Sequence, residues 1–279
     1  AFDLAAPIFY ASPPAVLATL ALLSAFLFAA AGKGRRALPM TIIAAGCGAY
    51  WANAEFSRSV AGTKHNVGDI PILCWNTASN LAPPSAIALI HESNAALIGM
   101  VEAGDSRATL EWYAAKFPGY QFAHFGRGLV IGTRGTILGR QLLDLDRSGK
   151  YAIAEIELDG RTFVVILVDM DSNPFRSRRR SFEELEKLIA AQGDRPLIVM
   201  GDFNTPGDSV YFKRLRGDLR STVETRSSNM VSTWPIPAPV LSIDHIWVSR
   251  HFRIDAARLG WCWTSDHRPV TSSVSFYDD

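Results

Sequence analysis

Six places in this sequence set an acid, an amide or an imidazole against an apolar run: Asn76 after 70–75 (IPILCW), Glu102 after 95–101 (AALIGMV), Asp169 after 162–168 (TFVVILV), Asp202 and Asn204 after 197–200 (LIVM), Asp244 inside 242–249 (SIDHIWVS), and Asp266-His267 just ahead of 270–276 (VTSSVSF). An ionised group at the end of an apolar strand is expensive to bury unless it is paired or holds a metal. Hard oxygen donors of this kind favour Mg²⁺ or Mn²⁺ over Zn²⁺. Taken singly, Asn76 reads equally as a turn residue, Asp244 as a solvated strand end and Asp202 as an Asx-turn in GDFNTP. Taken together, polar groups at the ends of many strands describe a site built on one rim of a sheet protein.

The elements that must position these groups are legible in the hydrophobic pattern. The runs 70–75, 95–101, 129–132, 151–158, 162–169, 197–200, 242–249 and 270–276 read as strands, and 84–92 as a helix with Pro near its start. In 151–158, Ala154, Ile156 and Leu158 alternate with Glu155 and Glu157, the pattern of a strand with one face buried. Asp159-Gly160 joins it to the next strand as a tight hairpin. Ser181 and Glu184 read as a capping box that opens a helix closed by Gly193. Strands this numerous with few helices between them predict an α+β sandwich of mixed or antiparallel sheets with helices outside.

The words WN at 75–76, VE at 101–102, GDFNTP at 201–206, IDHIWVS at 243–249 and SDHRPV at 265–270 stand in an order that resembles the endonuclease/exonuclease/phosphatase superfamily over roughly residues 70–276. The resemblance implies a four-layer α/β/β/α sandwich and a divalent-metal-dependent phosphodiesterase or phosphatase. In that family Glu102 matches the principal metal-binding carboxylate, Asn76 lies close to the metal or its phosphate, and Asp266 contributes to the metal site. Asp202 and Asn204 match the pair that prepares the attacking water and hydrogen-bonds the phosphate, and His267 the imidazole on the scissile phosphate. Asp244 matches the carboxylate that orients a histidine. The implied cofactor is Mg²⁺ or Mn²⁺, and the implied substrate a phosphodiester of nucleic acid or a phospholipid head group.

Two positions depart from the family pattern. Asp169 stands where many members carry a second histidine, so it is an extra metal ligand, or phosphate binding is rearranged, or catalysis is weak. Ala78 stands where abasic-site endonucleases carry an acidic ligand. The run Arg176, Arg178, Arg179 and Arg180 either holds substrate phosphates or anionic head groups, or is a solvated loop before a helix. The competing reading from another class is a membrane-tethered phosphate- or lipid-binding protein that has lost turnover.

The chain has 279 residues, 48% apolar and 20% charged, with a net charge of +1. Residues 1–63 carry four basic and two acidic groups, so the remainder is net −1 and lacks a nucleic-acid-binding basic excess. Two 18-residue stretches without charge, 14–31 and 37–54, flank the basic loop 32–36 (GKGRR). Each meets the lower length for a spanning helix, which predicts a transmembrane hairpin with a cytoplasmic loop and the rest of the chain facing outward, on a bacterial inner membrane the periplasm. Gly46 and Gly48 are expected to let the helices approach closely. The alternative is an apolar hairpin packed on a soluble nuclease. The chain opens on Ala1 rather than Met, so a further upstream segment stays open. The expected organisation is a membrane region at 1–56, a linker at 57–69 and a catalytic domain at 70–279, with no protein partner implied. Three cysteines make no disulfide framework, and there is no zinc spacing, P-loop or nucleophile elbow.

Overall fold

The computed structural model describes residues 6–56, 69–79, 84–104, 107–145, 148–227 and 230–277. Most of the expected linker, 57–68, lies outside these residues. Two six-stranded sheets stack face to face. The first has the order β11 (Phe252–Leu259), β12 (Val270–Phe276), β1 (Ile70–Asn76), β2 (Leu97–Val101), β4 (Val130–Thr133), β3 (Gln121–His124). The second has the order β5 (Thr136–Asp144), β6 (Gly149–Leu158), β7 (Arg161–Met170), β8 (Leu197–Asp202), β10 (Asp244–Val248), β9 (Arg220–Ser221).

Period-two alternation builds the layers. Ile72 and Cys74 of β1, and Val165 and Leu167 of β7, face inward and meet Ile198, Met200 and Ile246 in the core between the sheets. The alternate residues Leu73 and Trp75 pack outward against Ala86 and Ile90 of α4 (Pro84–Ser93) and Tyr113 and Phe117 of α5 (Arg107–Lys116). On the far side Val164, Ile166 and Trp247 pack against Phe182 and Leu185 of α6 (Arg179–Ala191). The result is helices, sheet, sheet, helices, the four layers expected.

Topology explains why one rim collects the polar ends. Each sheet has a parallel pair at its centre, β1 with β2 and β7 with β8, and each pair carries an antiparallel neighbour, β12 on β1 and β10 on β8. The C-terminal ends of the parallel strands and the N-terminal ends of the antiparallel ones therefore share an edge. Asp159 and Gly160 both have positive φ (52° and 75°), the geometry of the tight hairpin that fixes the β6–β7 register.

Three expectations about local structure are corrected. Ser181 does not cap α6, which begins two residues earlier; its hydroxyl instead donates to the Ser148 carbonyl. Gly193 does end that helix, at φ 60°. The apolar runs at the N-terminus do form an antiparallel pair, α2 (Pro14–Ala30) and α3 (Gly34–Phe56), preceded by α1 (Ala6–Ala11). Among the described residues, however, no helix is long and apolar enough to cross a membrane. α2 stops after 17 residues, and α3 opens on two arginines and is diluted by Pro39, Asn53 and Glu55. The close approach is made by alanines, with Ala18, Ala21 and Ala25 of α2 and Ala44 of α3 buried, whereas open space surrounds Gly46 and Gly48.

The hairpin base is docked on the sandwich. Glu55 is buried, and its carboxylate accepts from the backbone N–H of Val231 (2.8 Å) and Ser232 (3.0 Å) and from the Ser232 hydroxyl (2.5 Å). Such charge-assisted bonds make the docking specific as well as favourable.

Candidate active site at the sheet rim

Asn76, the last residue of β1, is the hub. Its Nδ2 donates to Glu102 Oε1 at 3.2 Å and to Asp202 Oδ2 at 3.0 Å, so one amide joins the two sheets. Its Oδ1 accepts from Ala78 N, and its carbonyl accepts from the Ser265 hydroxyl, which also receives His267 N–H. Glu102 adopts φ 53° immediately after β2, in the left-handed region. Strain at a non-glycine residue is sustained where surrounding contacts overdetermine it, commonly at functional sites.

Asp202 ends β8. Ahead of it, Gly201 has φ 139°, and a Cβ there would lie 2.0 Å from the Val168 carbonyl oxygen, so glycine alone fits. Asp202 Oδ1 accepts from Asn204 N–H at 2.8 Å, which is the Asx-turn allowed by its sequence, while Oδ2 faces Asn76 and lies 3.9 Å from His267 Nε2. One oxygen thus makes the turn and the other faces the amide and the imidazole. Asn204 adopts φ 45° and gives its Nδ2 to the Met170 carbonyl.

His267 is set by Asp244. Nδ1 of the imidazole lies 2.9 Å from Asp244 Oδ2, which leaves Nε2 toward Asp202 and, at 4.0 Å, Asp266 Oδ1. Asp244 in turn is placed by Thr233, whose hydroxyl oxygen accepts from the N–H groups of Ile243 and Asp244. The other Asp244 oxygen, Oδ1, is buried without a hydrogen-bond partner among the described residues. Asp266 Oδ2 accepts from Trp234 Nε1 at 2.9 Å.

Burial disfavours a charged imidazole, but Asp244, Asp202 and Asp266 together outweigh it and push His267 up to about 10. Burial, with Asp244 adding to it, raises Asp202 above the usual carboxylate range. Burial also raises Asp169, against the pull of Lys150. Both shifts at the centre of the site carry the same sign for stability. The His267 contribution is complete below the unfolded imidazole value of about 6.5 and is lost as pH rises through about 10. A raised Asp202 likewise makes the native state the better proton binder, so it too loses ground as pH rises. The metal-free protein is therefore expected to melt at progressively lower temperature from pH 6.5 to 10, with a shallower decline in Asp202→Asn. Scanning calorimetry across that range checks it, and a melting temperature that climbs with pH contradicts it.

Of the ten predicted site residues, Asn76, Glu102, Asp202, Asn204, Asp244, Asp266 and His267 meet at the rim. Asp169 is beside them, paired in register with Asp202, but its carboxylate is bound to Lys150 Nζ at 2.7 Å. The departure from histidine is thus answered by a lysine on the neighbouring strand. Arg176 is engaged by Asp171 at 2.7 Å. Arg178 is buried and gives Nε to the backbone carbonyl of Asn204 (3.1 Å) and Nη1 to those of Asn173 (3.1 Å) and Arg176 (3.3 Å), so it pins the loop. Sequence reasoning missed Lys150, Thr233, Trp234, Ser265 and Tyr10. For Lys150 a signal existed, because the Asp159-Gly160 turn pairs Leu158 with Arg161 and eight residues further along pairs Lys150 with Asp169.

Above these groups lies a cavity of about 650 Å³ with Glu102, Asp202, Asn204, Asp266 and His267 among its lining. The tightest acid and imidazole cluster among the described residues is Asp202, Asp244 and His267, within 4.8 Å of one another. Its imidazole is already bonded to Asp244, which suits an oriented acid–base pair better than a metal site. A hard cation fits beside it. Glu102 and Asp266 both line the cavity and are exposed to it, which gives a cation two carboxylates within reach.

Residues 73–267 match the sequence profile of the Endonuclease/Exonuclease/phosphatase family. Among curated proteins none matches the chain. Solved structures that share the fold include an endonuclease/exonuclease/phosphatase family protein from Bacteroides thetaiotaomicron, at 16% identity and TM-score 0.64, covering 76% of this chain and 99% of that one. A mannosyl-6-phosphatase of the same organism matches at 16% identity and TM-score 0.62, covering 74% of this chain and 100% of that one. The human Nocturnin catalytic domain with bound sulfate matches at 19% identity and TM-score 0.60, covering 77% and 96%.

Proposed function

The chain belongs to the endonuclease/exonuclease/phosphatase family, whose members are phosphoric ester hydrolases, and on that premise we propose that its rim cavity hydrolyses a phosphodiester or phosphomonoester with the help of Mg²⁺ or Mn²⁺. The observation that carries this reading is the adjacent pair at the cavity: Asp202 Oδ2 and His267 Nε2, 3.9 Å apart, Asp202 fixed by Asn76 and His267 by Asp244. Asp202 holds and deprotonates the attacking water. His267, held as the imidazolium, offers Nε2–H to a phosphoryl oxygen and stabilises the charge that builds there. Asp244 orients the ring and balances its charge. Asn76 keeps Asp202 and Glu102 in register. Glu102, with Asp266 at the same cavity, would hold the divalent cation, which supplies Lewis-acid neutralisation of the phosphate when bound.

The test is hydrolysis of bis-p-nitrophenyl phosphate. Turnover is expected with Mg²⁺ or Mn²⁺ and none in excess EDTA, and Glu102→Gln is expected to raise the metal concentration for half-maximal rate at least tenfold, since second ligands rarely compensate for a lost carboxylate. Turnover that is indifferent to EDTA removes the metal from the proposal, and no turnover with either metal removes the hydrolase.

A further inference from the structure

Part of the cavity wall is built by the N-terminal helix. Pro7, Tyr10 and Ala11 of α1 line it together with Phe175 and Trp234. Tyr10 is fastened there, its hydroxyl donating to the Asn204 carbonyl at 3.2 Å and its ring lying 5.9 Å from the Arg178 guanidinium. α1 runs through Pro13 and Pro14 directly into α2, so the apolar surface that begins inside the cavity continues onto the hairpin.

That hairpin exposes apolar groups on all sides. Leu20, Leu22, Leu23, Phe26 and Leu27 of α2 and Leu38 and Ile42 of α3 are each more than half exposed, Phe26 at 68%. No acidic residue stands between Pro7 and Asn53, and the exposed tip carries Lys33, Arg35 and Arg36. Isolated exposed apolar residues are ordinary, but a contiguous surface of this size needs a partner. An apolar body with a basic tip complements acyl chains and anionic head groups. Immersion among acyl chains is all this needs; crossing a bilayer is not.

The other side of the mouth has the same character. A second cavity shares Ala78 and Asp266 with the first and is bordered by Trp263, which is 74% exposed and stacked on Trp261 at 6.1 Å. Exposed indoles suit the head-group layer of a bilayer. Cations that would track a polynucleotide are scarce at the mouth, where Arg178, the basic residue of the lining besides His267, is committed to backbone carbonyls.

We propose that the substrate is a phospholipid drawn from a bilayer in which the hairpin is immersed, its phosphate seated against His267 and Asp202 on the cavity side and its hydrocarbon lying along α1 and Phe175. The proposal rests on the hydrolase reading above and narrows it to one substrate class. In the reaction the oxygen of water joins phosphorus as Asp202 takes its proton, the His267 imidazolium stays hydrogen-bonded to a phosphoryl oxygen, one P–O ester bond breaks, and the departing alkoxide is protonated from solvent, to which Asp202 in turn releases its proton.

The experiment uses the full chain with Mg²⁺ and three probes: vesicles of phosphatidylcholine and phosphatidylglycerol at three to one, a single-stranded oligonucleotide, and bis-p-nitrophenyl phosphate. Lipid products are read by mass spectrometry. Expected is cleavage of vesicle phosphatidylglycerol at least tenfold faster than of the oligonucleotide at equal phosphate, and a jump in rate on dihexanoyl phosphatidylglycerol as it passes its micellar threshold. Leu23→Gln with Phe26→Gln, and separately Trp263→Ala, are expected to lower the ratio of vesicle rate to bis-p-nitrophenyl phosphate rate at least tenfold. Cleavage of bis-p-nitrophenyl phosphate and the oligonucleotide with vesicles untouched, or ratios unmoved in both variants, overturns the lipid assignment and leaves the hydrolase standing. Inertness toward all three probes overturns both.

Discussion

His267→Ala is expected to lower kcat/KM for bis-p-nitrophenyl phosphate by about 10³-fold while leaving the fold intact, and Asp244→Asn by about 10²-fold or more. The imidazole is the one group at the rim that is positively charged, donates a proton from Nε2 into the cavity and is locked through its other nitrogen, at 2.9 Å, to a carboxylate. Alanine removes the charge and the donor together. Asparagine acts more subtly. Its amide occupies the same volume, but it cannot balance an imidazolium, and an NH₂ donating to Nδ1 leaves that nitrogen unprotonated, so the ring is neutral and offers Nε2–H without its positive charge. The two variants are separated by their pH–rate profiles. Asp244→Asn should move the fall in activity at alkaline pH toward neutrality, because the carboxylate that held His267 up to about 10 is gone. His267→Ala should leave a low rate without that limb. Circular dichroism of each variant guards against loss of structure, and an Asp244→Asn enzyme with wild-type rate and profile would remove the dyad from the mechanism.

Arg268→Met is expected to cost about 3–5 kcal/mol of stability, the range found when one partner of a buried charged network is removed. For a chain of this size the melting temperature then falls on the order of 10 °C. The guanidinium is 1% exposed and donates to the carbonyls of Met230, Ser232, Leu259 and Gly260 at 2.9–3.2 Å, with Trp261 stacked against it at 4.6 Å. Glu55 grips the same 230–232 segment from the other side through its N–H groups. Methionine fills the space yet leaves four buried carbonyls and the Glu55 carboxylate without their cation. Urea denaturation measures the loss, and Arg268→Lys, which keeps the charge without the fork of donors, should recover only part of it. A methionine variant within 1 kcal/mol of wild type would mean that water replaces the arginine at little cost.

What the sequence revealed divides along physical lines. β1, β7 and β8 were legible because they are buried on both faces and read as unbroken apolar runs. β5 was not, since it is an edge strand with Arg140 and Gln141 in the middle and a register shift between Ile137 and Gly139. β11 carries a bulge at Asp255, which breaks the alternation a reader would count. At the site, the carboxylates stood out because charge at the end of an apolar run is conspicuous. The groups that hold them did not. Thr233 and Ser265 are ordinary loop residues in the sequence and act through backbone N–H groups that only the folded chain brings to them. The run of arginines stayed open between a phosphate clamp and a solvated loop, because composition cannot show that Arg178 is buried with Nε and Nη1 on backbone carbonyls. The N-terminal hairpin was read correctly as two helices. Its first turn, α1, escaped notice as a wall of the cavity, because nothing in six residues of Ala, Pro, Ile, Phe and Tyr announces where they dock.

Each sheet supplies two strand ends and one strand start to the rim: Asn76, Glu102 and His267 from the first, Asp169, Asp202 and Asp244 from the second. Neither half is competent by itself, since every pairing that defines the chemistry, Asn76 with Asp202 and His267 with Asp244, spans the two sheets. Gly99 marks how tightly they are docked, for a Cβ there would fall 2.5 Å from the end of the Met200 side chain. During synthesis, then, a growing chain holds no working site until residue 267 has emerged and the second sheet has closed on the first.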